Sequence, residues 1–191
     1  MKKSLVMATL VATSTSMMAM DLQYFLGAGV ERIDADTTYS VTSPIQERGE
    51  DSFRDTGLLL KAGVILDKTH RISISHTKFS KDDVDVTTIL GNYDYLIPMN
   101  EEFRLYAGVH AGNTEIEVND VISYDYSGLS YGVQVGAIYD ITKNIEFELG
   151  LAYTKFNVDT KINEVYNGVT ISGTEEVDNA TSMFAGINYK F

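Results

Sequence analysis

The chain has 191 residues, no cysteine and a formal net charge of −12. The acidic balance excludes the basic face that a nucleic-acid partner requires, and the lack of cysteine excludes a disulfide framework. The sequence contains no stretch of about 18 consecutive apolar residues, so no membrane-spanning helix is predicted. Two prolines among many tyrosine, valine, isoleucine and threonine residues favour strands, and the length predicts one domain.

The N-terminal residues have the pattern of a targeting segment. Lys2 and Lys3 are basic, Ser4 to Val11 form a short apolar run, and small and polar residues follow as far as Ala19. This order predicts a secretory signal peptide over residues 1–20, cleaved within about a residue of Ala19. Residues 21–191 are then expected to form the mature domain.

A two-residue alternation of apolar and polar side chains predicts strands in the first half of the mature chain. The predicted strands are residues 22–33, 56–66, 70–79 and 84–97. The polar segment from Asp34 to Asp55 predicts a long surface loop. Asp67, Lys68 and Thr69 predict a tight turn, and residues 80–83 predict a short charged loop.

The same alternation predicts four strands in the second half. They are residues 102–112, 128–139, 145–154 and 180–191. Short turns are expected at residues 98–101 and 140–144, and longer connections at residues 115–126 and 157–179. Ile116, Val118 and Tyr124 offer an alternative for the middle connection, because they could extend the flanking strands. Short and long connections thus alternate along the chain.

The charged side chains and the small residues fall on the same face of the predicted strands. The charged set is Glu31, Lys61, Arg71, Asp94, Arg104, Glu146, Glu148 and Lys190. The glycines that share this face are Gly27, Gly29, Gly63, Gly108, Gly112, Gly132, Gly136, Gly150 and Gly186. A soluble core would hold large apolar groups on its crowded face, whereas a narrow polar lumen needs small residues beside long charged ones.

The predicted fold class is therefore all-β: an eight-stranded antiparallel up-and-down transmembrane β-barrel with short periplasmic turns and longer extracellular loops. Closure pairs every strand edge, as a hydrocarbon environment requires. A secreted lipocalin-like barrel with an apolar interior is the soluble alternative.

The chain resembles the small outer-membrane β-barrel proteins of Gram-negative bacteria, the OmpA transmembrane-domain and OmpX-like group. The signal peptide, the eight alternating strands, the turn from Tyr139 to Asn144 and the C-terminal Gly186, Tyr189 and Phe191 carry the resemblance. It implies location in the bacterial outer membrane among lipid and lipopolysaccharide. It also implies that Gly186, Tyr189 and Phe191 form the signal for the barrel-assembly machinery.

The inward charges are expected to form ion pairs, because an unpaired charge in a narrow lumen is costly. Neighbouring strands predict pairs of Glu31 with Lys61, of Arg71 with Asp94, and of Lys190 with Glu146 or Glu148. A salt-bridge plug is favoured over a charge-selective pore, because eight strands leave little open cross-section.

We expect a non-catalytic protein that serves envelope integrity or surface interaction, with a small porin-like channel as the alternative. A lipid A-modifying enzyme is less favoured, because no serine shares a strand face beside one of the histidines. Neither a cofactor nor a metal site is predicted. The acidic connections at residues 34–55 and 157–179 are expected to form a solvated rim. Binding of divalent cations that bridge lipopolysaccharide phosphates, or contact with host surfaces or phage, is the alternative for these segments.

Overall fold

The computed structural model describes the backbone of residues 21–43, 47–81, 84–119, 123–166 and 169–191, and the side chains of residues 21–35, 53–81, 84–117, 127–157 and 179–191. The predicted signal peptide lies outside these residues. The strands are β1 (Leu22–Ser43), β2 (Glu47–Leu66), β3 (His70–Lys81), β4 (Val84–Pro98), β5 (Phe103–Asn119), β6 (Ser123–Asp140), β7 (Ile145–Tyr166) and β8 (Val169–Lys190).

The eight strands form one closed antiparallel barrel. Each strand pairs with its sequence neighbours, and β8 pairs with β1 to complete the closure. The predicted fold class is confirmed. Among the described residues there is no helix with the length and hydropathy needed to cross a membrane.

Side chains at the three tight connections organise one end of the barrel, here called the turn end. Asp67 and Lys68 adopt positive φ angles of 49° and 60°, as a two-residue hairpin turn requires. The Asn100 side chain accepts hydrogen bonds from two backbone N–H groups in the second turn. Thr142 accepts two in the third turn. The first turn lies at its predicted position, whereas the second and third begin one residue later than predicted, because Pro98 and Asp140 belong to strands.

The predicted long loops are wrong for most of their residues. β1 and β2 continue into residues 34–55, as far as Ser43 and from Glu47, and β7 and β8 continue into residues 157–179, as far as Tyr166 and from Val169. In the predicted loop at 80–83, Ser80 and Lys81 belong to β3. The alternative of extended strands at 115–126 is confirmed for residues 115–119 and 123–126. Beyond the lipid both strand faces meet water, so hydrophobic alternation no longer marks a strand.

The extensions of four strands form a sheet that we call the outer wall, comprising residues 36–43, 47–57, 158–166 and 169–178. β1 and β8 are its central strands, since β1 pairs with β2 up to Val41↔Glu47 and with β8 up to Ser43↔Ser172, and β8 pairs with β7 up to Tyr166↔Val169. In the described residues the pairing of β2 with β3 ends at Leu58↔Lys78, and that of β6 with β7 ends at Leu129↔Asn157. The wall therefore rises on one side of the barrel.

The outward faces carry a continuous band of exposed apolar side chains. The band includes Tyr24, Leu26, Val30, Leu58, Leu60, Ile72, Ile74, Ile89, Tyr93, Tyr95, Ile97, Leu105, Val109, Leu129, Tyr131, Val133, Val135, Tyr139, Phe147, Leu149, Leu151, Tyr153, Met183, Ile187 and Tyr189. Above it the outward residues turn polar, as at Arg32 on β1 and Lys78 on β3. Exposed large apolar groups in a closed belt are the surface that a bilayer covers. The outer face of this barrel is therefore built for lipid.

Candidate functional site

The lumen of the barrel contains the buried charged side chains of the described residues. Of the eight charged residues predicted to face inward, seven are buried: Lys61, Arg71, Asp94, Arg104, Glu146, Glu148 and Lys190. The eighth, Glu31, is half-buried. Because these side chains lie where the two-residue period places them, the strand alternation positions the whole set.

Four of them form the central ion-pair cluster, Lys61, Arg71, Asp94 and Glu148. The Arg71 Nε lies 2.9 Å from Asp94 Oδ2, and its Nη2 lies 2.8 Å from Glu148 Oε1. The same Glu148 oxygen lies 3.0 Å from Lys61 Nζ. Arg71 and Asp94 are fully buried. Two cations and two carboxylates make the cluster neutral.

Neutral side chains complete the hydrogen bonding of both carboxylates. Gln134 Nε2 donates to Asp94 Oδ1 at 2.6 Å, and Asn188 Nδ2 donates to Glu148 Oε2 at 2.9 Å. The Arg71 guanidinium also lies 4.6 Å from the centre of the Tyr106 ring. Such additional contacts offset part of the free energy lost when charges leave water.

The lower ion-pair cluster, Arg104, Asp140, Glu146 and Lys190, fills the lumen at the turn end. Arg104 Nη2 lies 2.8 Å from Asp140 Oδ1 and 2.6 Å from Glu146 Oε2. Lys190 Nζ lies 2.5 Å from Asp140 Oδ1 and 3.5 Å from Glu146 Oε2. This cluster is also neutral. Of the two partners predicted for Lys190, the structure shows Glu146, whereas Glu148 belongs to the central cluster.

Sequence reasoning missed Asp140, because it was assigned to the turn that follows β6. The strand period contained the signal: Asp140 continues the inward series of Gln134, Gly136 and Ile138. The structure places it between the two cations of the lower cluster.

The expected ion pair between Glu31 and Lys61 is wrong. In the register of β1 and β2, Glu31 faces Gly57 while Lys61 faces Gly27, four residues along the strand. This separation corresponds to about 13 Å at the rise of a strand. Glu31 instead accepts hydrogen bonds of 2.7 Å from the hydroxyls of Thr77 and Ser182.

Two apolar clusters also occupy the lumen, which was expected to be polar throughout. The first consists of Phe25, Leu59, Ile65, Leu96, Tyr106, Ile138, Ala152 and Phe184. The second lies towards the outer wall and consists of Ile33, Ala35, Phe79, Val86, Ile116 and Ala180. Their inward strand positions were the available signal. Together with the ion pairs they fill the interior, and members of the first cluster lie on both sides of the central ion pairs, as Leu59 and Ile65 do beside Lys61 on β2.

Glycines make room for the large side chains of these clusters. A methyl group added at Gly136 would lie 2.5 Å from the Tyr106 ring and hydroxyl, and one added at Gly150 would overlap Tyr106 and Phe184. Small residues therefore stand where aromatic and charged groups cross the narrow interior, as the sequence pattern indicated.

Among the described side chains, none of the three histidines forms a hydrogen bond with a serine. His110 Nε2 lies 3.0 Å from Thr154 Oγ1 inside the lumen, and His70 Nδ1 lies 2.8 Å from the Tyr93 hydroxyl on the outer face. His76 is exposed and faces outward. Within the described ranges, no three acidic or histidine side chains are grouped as metal ligands.

The predicted assembly residues lie at the seam where β8 meets β1. Gly186 faces Gly29 of β1, and the Phe191 N–H donates to the Tyr24 carbonyl at 2.9 Å. The Tyr189 and Phe191 rings pack edge to face with centroids 5.1 Å apart. The C-terminal residues thus close the barrel at the turn end.

A closed barrel with a lipid-facing apolar belt and a filled polar lumen defines an integral outer-membrane β-barrel. The family model of the outer membrane protein beta-barrel domain matches residues 7–191. The chain belongs to this family, and its location is the bacterial outer membrane. No curated protein sequence matches the chain.

Solved structures share the fold at low sequence identity. OprG from Pseudomonas aeruginosa superposes with a TM-score of 0.64 at 17% identity, over 88% of this chain and 95% of that chain. Neisserial surface protein A superposes with a TM-score of 0.62 at 16% identity, over 88% and 97%. OprH from P. aeruginosa, solved in DHPC micelles, superposes with a TM-score of 0.57 at 20% identity, over 88% and 99%.

Proposed function

We propose that this protein is a non-catalytic, non-conducting barrel that serves envelope integrity or surface interaction. The observation that carries the proposal is the filled lumen, which is occupied by two neutral ion-pair clusters and two apolar clusters. A permeating ion would have to separate buried ion pairs and pass apolar side chains. Both steps are costly in a medium of low dielectric constant.

Glu148 is the residue most important for closure. It accepts from Arg71 and Lys61 on one oxygen and from Asn188 on the other. Removing its side chain would leave two cations facing each other with only Asp94 beside them. Repulsion and hydration of the two cations should then admit water to the centre of the barrel.

The outer wall supports the surface role. Four strands carry it beyond the apolar band on one side of the barrel, so it offers a raised surface to molecules outside the cell. The proposed partners of this surface are lipopolysaccharide around the barrel, host surfaces and phage. The acidic residues Glu47 and Glu164, one on each hairpin of the wall, have side chains outside the described residues. We also propose that the barrel-assembly machinery recognises Gly186, Tyr189 and Phe191.

Conductance in planar lipid bilayers tests the closed lumen. We expect no steady openings from the unaltered protein and new openings from Glu148→Ala. The matched control is Glu115→Ala, since Glu115 is a carboxylate on the exposed outward face of β5. Steady openings of the unaltered protein, abolished or altered by Glu148→Ala or Arg104→Ala, would establish the small channel instead.

The absence of catalysis has a separate test. Lipopolysaccharide extracted from cells with and without the expressed protein should have the same mass spectrum. A mass change of the lipid A part that depends on expression would identify a lipid-modifying enzyme and overturn the non-catalytic proposal.

A further inference from the structure

A cavity lies in the lumen, next to the central ion-pair cluster. Its volume is about 30 Å³, enough for one or two water-sized particles. The polar side chains that line it are Glu31, Lys61, Ser75, Asn92, His110, Gln134 and Thr154. The rest of its wall is apolar and includes Leu59 and Phe184.

The charges of the lumen do not balance in the described part of the chain. The central cluster is neutral, with Lys61 and Arg71 against Asp94 and Glu148, and so is the lower cluster. Of the two charged side chains that line the cavity, Lys61 belongs to the central cluster and Glu31 belongs to neither cluster. The Glu31 carboxylate forms no ion pair with the described residues.

The hydroxyls of Thr77 and Ser182 give Glu31 two hydrogen bonds but no opposite charge. Lys61 also lines the cavity, but its ammonium group contacts Glu148 at 3.0 Å and lies 4.7 Å from the centre of the Phe184 ring. The second apolar cluster, which includes Ile33 and Phe79, lies farther along the same strands towards the outer wall. A carboxylate in these surroundings favours a counter-charge at close range.

A second feature of the cavity also calls for an occupant. His110 is only 3% exposed. It lines the cavity, and its Nδ1 has no hydrogen-bond partner in the part of the chain that the structure describes. Buried polar atoms normally have a partner, which is often an ordered water.

We propose that this cavity is a binding site for one small monovalent cation, Na⁺ or K⁺, held by the Glu31 carboxylate. Oxygen atoms are the ligands that such hard cations prefer, and the cavity wall offers hydroxyls at Ser75 and Thr154 and amide groups at Asn92 and Gln134. A hydrating water that accompanies the cation gives His110 Nδ1 its partner. The site goes beyond the proposed function, since it neither requires nor provides a conducting path.

The charge and the size of the cavity determine which cations it can bind. A single carboxylate is a poor site for a divalent cation, which gathers several anionic ligands. No group of three acidic or histidine residues occurs among the described side chains. An organic cation such as N-methylglucamine is larger than a cavity of about 30 Å³. This difference in size provides the experimental comparison.

The first test is thermal unfolding of the purified barrel in detergent, in NaCl or KCl against N-methylglucamine chloride at equal ionic strength. A ligand that binds only the folded state raises the midpoint, by about 3 °C at ten times its dissociation constant for a chain of this length. Glu31→Gln should abolish the difference, and Glu115→Gln on the outer face should retain it. Equal midpoints in the three salts, or a difference that survives Glu31→Gln, would overturn the proposal.

The second test does not depend on the stability of a variant. Crystals of the unaltered protein soaked in RbCl should show anomalous scattering beside Glu31 and none when Rb⁺ is replaced by N-methylglucamine. A cavity occupied by water only, with no anomalous peak, would overturn the proposal. Neither result bears on conductance, so failure of the cation site and failure of the closed lumen are distinguishable.

Discussion

At the residue scale, the ion pairs of the lumen depend on strand register as much as on residue type. Arg71 and Asp94 face each other directly between β3 and β4, as their places on the same face of neighbouring strands predicted. Glu31 and Lys61 also share a face of neighbouring strands, but Glu31 faces Gly57 and Lys61 faces Gly27. A shared face does not determine the register, and the register decides which residues meet. The contacts of Glu148 with Arg71 and Lys61 cross the lumen between distant strands, and no local pattern reports such contacts.

Glycines at two positions of β4 and β5 provide a test of the crowded lumen. A methyl group at the inward Gly112 would overlap the Ile89 carbonyl oxygen and lie 2.8 Å from Leu90 Cα, whereas at the outward Gly91 the nearest atom is 3.6 Å away. We expect Gly112→Ala to reduce the free energy of unfolding by about 1–3 kcal/mol through overpacking.

Gly91→Ala is the matched control and should leave stability unchanged or raise it by up to about 1 kcal/mol. The measurement is urea unfolding of the protein in lipid vesicles. Equal midpoints for the two variants would contradict the assignment of their faces.

At the element scale, the sequence predicted the membrane-crossing parts of all eight strands and their inward and outward faces. Lipid on one side and a narrow lumen on the other force a strict alternation there. The prediction of strands failed for residues 34–55 and 157–179. In water a strand needs only a hydrogen-bonding partner for its backbone, and polar residues form such backbone pairs as well as apolar ones. The outer wall was therefore the least predictable part of the fold.

The C-terminal strand is expected to be the element on which assembly depends most. Deleting Phe191 removes the hydrogen bond to the Tyr24 carbonyl and the packing against Tyr189 at the closing seam. We predict a several-fold loss of folded barrel in the outer-membrane fraction, larger than the loss caused by shortening any connection. The measurement is the fraction of protein whose gel migration changes on heating.

The control for that deletion is Ile141→Ala, which truncates an exposed apolar side chain in a turn at the same end of the barrel. This variant should assemble normally. A normal folded yield without Phe191 would show that the C-terminal aromatic residue is not needed for assembly.

At the scale of the whole molecule, the barrel and the outer wall have different sources of stability. On β1, no residue beyond Ala35 belongs to the ion-pair clusters, the apolar clusters or the lipid-facing band that the described side chains form. The wall adds backbone pairing outside the membrane. The membrane barrel should therefore hold its fold without the tip of the wall.

Replacing residues 38–50 with Asn-Gly tests this separation. Thr37 and Asp51 are paired across β1 and β2, so a two-residue hairpin turn can join them directly. We expect the shortened protein to remain heat-modifiable on gels and closed in bilayers. Loss of heat-modifiable migration would show that the wall is required for the barrel to form.

The pairing of β1 with β8 has a consequence for how the barrel could come apart. It extends from Phe25↔Lys190 to Ser43↔Ser172, with register shifts at Asp36/Thr37 and at Val41/Ser43. The hydrogen-bonded pairing of the first and last strands thus continues beyond the hydrocarbon into water. Sideways opening in the bilayer would expose unpaired backbone to lipid while the upper part still held the strands together. A barrel whose first and last strands are also paired outside the membrane should open rarely, and its lifetime in the membrane should be long.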